Sequence, residues 1–72
     1  MHRYRIRVER RLGAATAALF PGIDVGDAPD GGSVLTGDLP DQAALHGVLA
    51  RLRDLGLELV EVRRLPDDSA AG

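Results

Sequence analysis

The chain has no cysteine and no tryptophan, and Tyr4 and Phe20 are its only large aromatic side chains. Without cysteine there is no disulfide staple and no thiolate metal site. The two histidines, His2 and His46, lie far apart in sequence, so neither a metal centre nor any cofactor is expected. No apolar run approaches the roughly 20 residues a bilayer span requires. The basic N-terminal stretch is not followed by an apolar signal core. The expectation is a soluble, cytoplasmic protein with no membrane attachment.

Lysine is also missing: all nine basic side chains are arginine, beside much Ala, Gly, Asp and Leu. That bias points to the codon usage of a high-GC bacterial genome and says nothing about function. At 72 residues the chain allows one domain and a small core. Such a core rarely supplies more than roughly 3–5 kcal/mol. Oligomerisation is then the expected extra source of stability. The net charge of −2 conceals an asymmetry. Residues 1–11 carry Arg3, Arg5, Arg7, Arg10 and Arg11 against Glu9 alone. Residues 21–41 carry Asp24, Asp27, Asp30, Asp38 and Asp41 with no basic residue. This argues against general nucleic-acid affinity but permits a local basic face.

What the chain does have is concentrated between Val34 and Leu65. The spacing predicts a helix from about Leu39 to Leu55. Asp38 would be its N-cap, Pro40 would fit its first turn and Asp41 would complement its dipole. Leu45, Val48, Leu49, Leu52 and Leu55 form the apolar stripe, with Gln42, His46, Arg51, Arg53 and Asp54 off it. Gly56 is placed for a left-handed C-cap. A strand then runs from Leu57 to Arg64. Its apolar residues fall on both sides, Leu57 and Leu59 against Val60 and Val62. Either a bulge switches the phase, or both faces are covered.

Earlier in the chain, His2 to Glu9 alternates, with Tyr4, Ile6 and Val8 on one face and Arg3, Arg5 and Arg7 on the other. Arg11 to Phe20 reads as a short helix on the stripe Leu12, Ala15, Leu19 and Ala18, ended by Pro21-Gly22, with Phe20 as a core anchor. Ile23 and Val25 open a short strand. Asp27 to Gly32 is a turn of about six residues, and Ser33 to Gly37 returns as the second arm of a hairpin. Residues 66–72 read as a disordered tail after a single domain over 1–65.

The predicted order is strand, helix, strand, strand, helix, strand. It implies an α+β, ferredoxin-like βαββαβ sandwich. A four-stranded antiparallel sheet would carry both helices on one face. The first and third strands would be central, and the other face bare. The segment LTGDLPDQAALHGVLARLRDLGLELVEVRR, with the opening YRIRVE, resembles a group of short uncharacterised actinobacterial proteins, from about Tyr4 to Arg64. DQAALHGVLARLRDLGL is its most specific part. The resemblance implies a fold and a source but no activity. It also implies aromatic residues in the first helix, where this chain has GAATAALF, with Phe20 alone.

Three surfaces are candidates. Arg3, Arg5, Arg7 and Arg63 would make a basic sheet face for an anionic ligand, or a solvated face paired with Glu9, Glu61 and Asp24. Nucleic acid is disfavoured there, because readers of that kind stack bases on aromatic side chains. Leu57, Leu59, Val60 and Val62 would form a partner surface, since an apolar edge strand tends to be paired. His46 and His2 are the only nitrogen bases. Ser33 is in a turn and Ser69 in the tail, and Asp67 and Asp68 are paired only by adjacency. Gly31-Gly32 precedes no helix, so it is not a phosphate loop. No catalytic set emerges. The preferred expectation is a small non-catalytic binding or regulatory module acting as a homodimer, with a further protein partner open. The alternatives are a dimeric α+β barrel-type enzyme or cyclase-like protein, and an anion-binding arginine face.

Overall fold

The computed structural model describes residues 2–66, so the expected tail, with Asp67, Asp68 and Ser69, lies outside the described residues. The elements run β1 His2–Val8, α1 Ala14–Ala17, β2 Asp24–Asp27, β3 Ser33–Leu39, α2 Gln42–Asp54 and β4 Leu59–Arg64. The four strands form one sheet in the order β2-β3-β1-β4, and every pairing is antiparallel. The first and third strands are therefore central, as expected, and the second and fourth are edges. The class is α+β.

Alternation in β1 decides which face is buried. Tyr4, Ile6 and Val8 point inward and meet Leu35 and Leu39 of β3. Phe20, Leu45, Leu52 and Leu57 complete the same cluster, so α2 and the turn after α1 close over one face of the sheet. Leu12, Ile23, Val25, Ala44, Val48 and Leu49 pack half-buried around it.

Asp41, not Asp38, is the N-cap of α2: its Oδ1 accepts from the Ala44 N–H at 2.8 Å. Leu39 remains paired with His2 in β3, which carries the strand two residues past its expected end at Gly37 and delays the helix start by three, from Leu39 to Gln42. At the other end the Gly56 N–H donates to the Arg53 carbonyl and the Leu57 N–H to the Leu52 carbonyl. Gly56 has φ 76°, completing a Schellman stop. That stop drives Leu57 into the core beside Leu52. Leu55 is the C-cap and leaves the stripe, exposed to solvent.

The first helix is much shorter than the ten residues expected. α1 is one turn, with no buried residue and no side-chain cap at Gly13. A turn this short gains one or two hydrogen bonds and cannot offset its nucleation cost unless packing helps. Here packing does not help, because Ala15, Ala18 and Leu19 are exposed. The Leu19 and Phe20 N–H groups instead donate three residues back, to Thr16 and Ala17, and this tightening swings Phe20 inward. Phe20 is thus the core anchor, without the stripe expected to accompany it.

The β2–β3 loop spans residues 28–32, one fewer than expected, because Asp27 pairs with Ser33. Ser33 is no turn residue. It is fully buried, and its hydroxyl accepts from the Leu12 N–H at 2.8 Å, tying the connector after β1 to the sheet.

Candidate functional site

The open face of the sheet is a grid of charges set by register. Arg3 lies opposite Asp38, with 3.6 Å between charged atoms. Arg5 lies between Thr36 and Arg63, and Arg7 between Val34 and Glu61. The Arg7 guanidinium donates to Asp30 at 2.7 Å, and Asp30 also accepts from the Gly32 N–H at 3.1 Å. Arg63 is 3.7 Å from Glu61. Arg5 alone of these four makes no ion pair among the described residues. It faces Arg63 directly, a like-charge cross-strand arrangement that costs stability. The four predicted arginines do share one face, but carboxylates from β3, β4 and the hairpin loop interleave with them. Arg64 points to the opposite side, opposite Tyr4, and donates to His2 Nδ1 at 2.7 Å.

The apolar flank of β4 follows from a bulge. Val62 lies opposite Ile6 and Glu61 opposite Arg7, yet Leu59 lies opposite Val8. Val60 is the extra residue. The bulge brings Leu59 and Val62 onto the same side of the sheet, the side that carries α2. Leu59, Val60 and Val62 are 39%, 53% and 41% exposed on an edge with no neighbouring strand among the described residues. Leu59 also borders a shallow depression of about 240 Å³ with His46, Leu49, Ala50 and Arg53 of α2. Of the four predicted interface residues, Leu57 is in the core and the other three form this flank.

Two further features had no signal in the chain's periodicity. A groove of about 380 Å³ runs between the segment 19–23 and α2. Phe20, Ile23, Leu39 and Val48 give it apolar walls, and Ala44 and Gly47 keep it open. Arg51 crosses one end, donating to the Leu19 carbonyl at 2.7 Å with its guanidinium 6.0 Å from the Phe20 ring. Asp38 and Arg51 are the ionisable groups lining it. Gly47 exists at a helix position where an added methyl would meet nothing within 4 Å. Gly47→Ala should therefore raise the unfolding free energy by about 1 kcal/mol. Chemical denaturation would check this, and a loss of stability would contradict it.

At the end of the β1–β4 ladder, Glu9 and Glu58 share a surface recess with Arg10 and Gly56. A hydrogen bond to Glu58 and that residue's negative charge push the Glu9 carboxyl above its usual 4.5, with Arg10 pulling the other way. The folded chain thus takes up this proton more readily than the unfolded one. The proton's contribution is complete below the ordinary glutamate range and is lost as pH rises through the raised value. Glu9→Gln should lift the melting temperature near neutral pH, and the gain should shrink as pH falls toward 4.5. Parallel melting curves across that range would check it; a gain that grows in acid would be inconsistent with the pairing.

His46 is exposed on α2, and the Ser33 hydroxyl is buried and engaged by the Leu12 N–H. Among the described residues no three His, Cys, Asp or Glu side chains converge as metal ligands, and no helix is long and apolar enough to cross a membrane. No curated protein and no solved structure significantly matches the chain. A family match covers residues 3–63, which takes in both helices and all of the sheet but the outermost residues of β1 and β4, and the chain therefore belongs to the family described as Domain of unknown function (DUF8691).

Proposed function

We propose that this chain is a small binding or regulatory module of ferredoxin-like plan, without catalysis of its own, that works as a homodimer. The observation that carries the reading is the β4 flank: three aliphatic side chains, Leu59, Val60 and Val62, stand exposed on a sheet edge that is unpaired among the described residues. Burying such side chains is favourable by about 25 cal/mol per Å² of apolar surface, and an open edge offers backbone groups to pair as well. The small core supports the same reading, since association adds stability by mass action. Sedimentation velocity from low micromolar to millimolar concentration tests it. A dimer is expected within that range, and a monomer throughout would overturn the reading.

A second reading rests on Arg5. Arg5 is the cross-strand neighbour of Arg63 on β4 and of Thr36 on β3, and an oxyanion bound there would relieve the like-charge pairing. Against it, Asp38, Asp30 and Glu61 already serve the neighbouring arginines. Thermal-shift titration with inorganic phosphate and with nucleotides distinguishes the two. Stabilisation that disappears in Arg5→Gln favours the anion site; no shift at millimolar ligand dismisses it. An enzyme of barrel type would have to use the groove beside Phe20, where Asp38 and Arg51 are the available ionisable groups.

A further inference from the structure

We propose that two copies of the chain join edge to edge through β4, about a two-fold axis at Val62, into one eight-stranded sheet. This rests on the homodimer reading and specifies its geometry.

The direction of the backbone groups comes from the ladder. The Leu65 N–H donates to the Arg3 carbonyl at 2.8 Å, and Tyr4 lies opposite Arg64. In an antiparallel pair, hydrogen-bonded and non-bonded positions alternate. Arg63 and Glu61 therefore turn their amide and carbonyl groups toward β1. Val62 and Arg64 turn theirs outward, to the open edge. The bulge at Val60 ends the regular stretch, so a partner strand has Val60–Arg64 to pair with.

A two-fold axis makes the interface self-complementary, so each residue meets a fixed counterpart. With the axis at Val62, the two Val62 residues exchange both main-chain hydrogen bonds. On the open face, Glu61 then meets the partner's Arg63, and the reciprocal pair forms on the other side of the axis. On the helix side the Val62 side chains meet each other. Val60 lies opposite the partner's Arg64, whose stem can cover it. Neighbouring registers lose this. An axis at Glu61 sets the two Glu61 carboxylates against each other, and an axis at Arg63 sets the two Arg63 guanidinium groups together. Opposite charges across a strand pair stabilise and like charges destabilise, so the edge selects one register from its own sequence. The Glu61 carboxylate, already 3.7 Å from Arg63 in its own chain, would then lie between two guanidinium groups.

Charge reversal tests the register. Glu61→Arg and Arg63→Glu should each weaken dimerisation about tenfold or more at low salt, since each reverses two contacts across the axis. The double variant Glu61→Arg/Arg63→Glu should restore it, because the swapped charges again face each other. A single cysteine at Val62→Cys should form an intermolecular disulfide under mild oxidation, as a hydrogen-bonded cross-strand pair lies about 5.5 Å apart at Cα. Circular dichroism of each variant confirms that the fold is kept. If the chain dimerises but the double variant is no better than the singles and the cysteine does not cross-link, the register is overturned while the homodimer reading stands. A wild-type chain that stays monomeric overturns both.

Discussion

Leu52→Ala is expected to leave the chain largely unfolded at room temperature. Leu52 is fully buried, at 0% exposure, and stands in the one cluster that joins sheet, α2 and Phe20. It is also three residues before the helix C-cap, and its carbonyl accepts the Leu57 N–H of the Schellman stop. Truncation to alanine removes the buried methyl groups and leaves a cavity beside that stop, at a cost of about 2–5 kcal/mol. A chain of this size has roughly 3–5 kcal/mol to lose. Leu55→Ala is the matched control three residues on. Leu55 is 40% exposed, and its loss should change stability by no more than about 0.5 kcal/mol. Urea unfolding followed by circular dichroism separates the two. A cooperative Leu52→Ala transition within 1 kcal/mol of the parent would contradict this account of the core.

How much of this could be read from the chain depends on the kind of signal. The strands and α2 carry periodicity, and periodicity reports burial directly. Tyr4, Ile6 and Val8 are inside and Arg3 and Arg5 are outside, as two-residue alternation requires. Element ends were less legible, because adjacent residues offer competing caps. Asp38 and Asp41 both suit an N-cap, and the choice fell to Asp41 because Leu39 was already held in the ladder opposite His2. α1 failed for a related reason. Alanine favours helix, but a helix in a small domain persists through what it buries, and alanine buries little.

The candidate surfaces show the same division. That Arg3, Arg5, Arg7 and Arg63 share a face follows from strand parity plus strand order, and the structure places them so. That Asp30 reaches back to Arg7 does not follow, since it depends on how the hairpin loop folds over β1. The double-sided apolar pattern at the end of the chain was a sign of irregularity, and the bulge at Val60 is its cause. The groove beside Phe20 left no mark in the pattern, because it arises from helix that α1 lacks and side chains that Ala44 and Gly47 lack. The Glu9–Glu58 pair was equally hidden, as it joins residues brought together only by the β1–β4 ladder.

Gly32→Ala should be the most damaging exchange of one small residue for another. A methyl group added there would overlap the Val8 carbonyl oxygen, lie 3.2 Å from that of Glu9 and come within 3.3 Å of Asp30 Oδ1. The first two obstacles are backbone. Val8 is held opposite Ser33, and the Glu9 N–H donates to the Glu58 carbonyl, so β1 cannot retreat without loosening both neighbours. The loop cannot retreat freely either, because the Gly32 carbonyl accepts from Ala28 and its N–H donates to Asp30. The cost should therefore sit at the upper end of overpacking, about 3 kcal/mol, most of what the domain has. Gly26→Ala supplies the comparison, since nothing lies within 4 Å of its added methyl and it occupies an exposed edge strand. It should be neutral or mildly stabilising. If the two variants unfold at the same urea concentration, the packing of the hairpin loop against the end of β1 is not what the structure describes. If Gly32→Ala folds but with its loop displaced, Arg7 should lose its bond to Asp30. The open face would then become more basic, and any weak binding of phosphate at Arg5 should tighten in that variant.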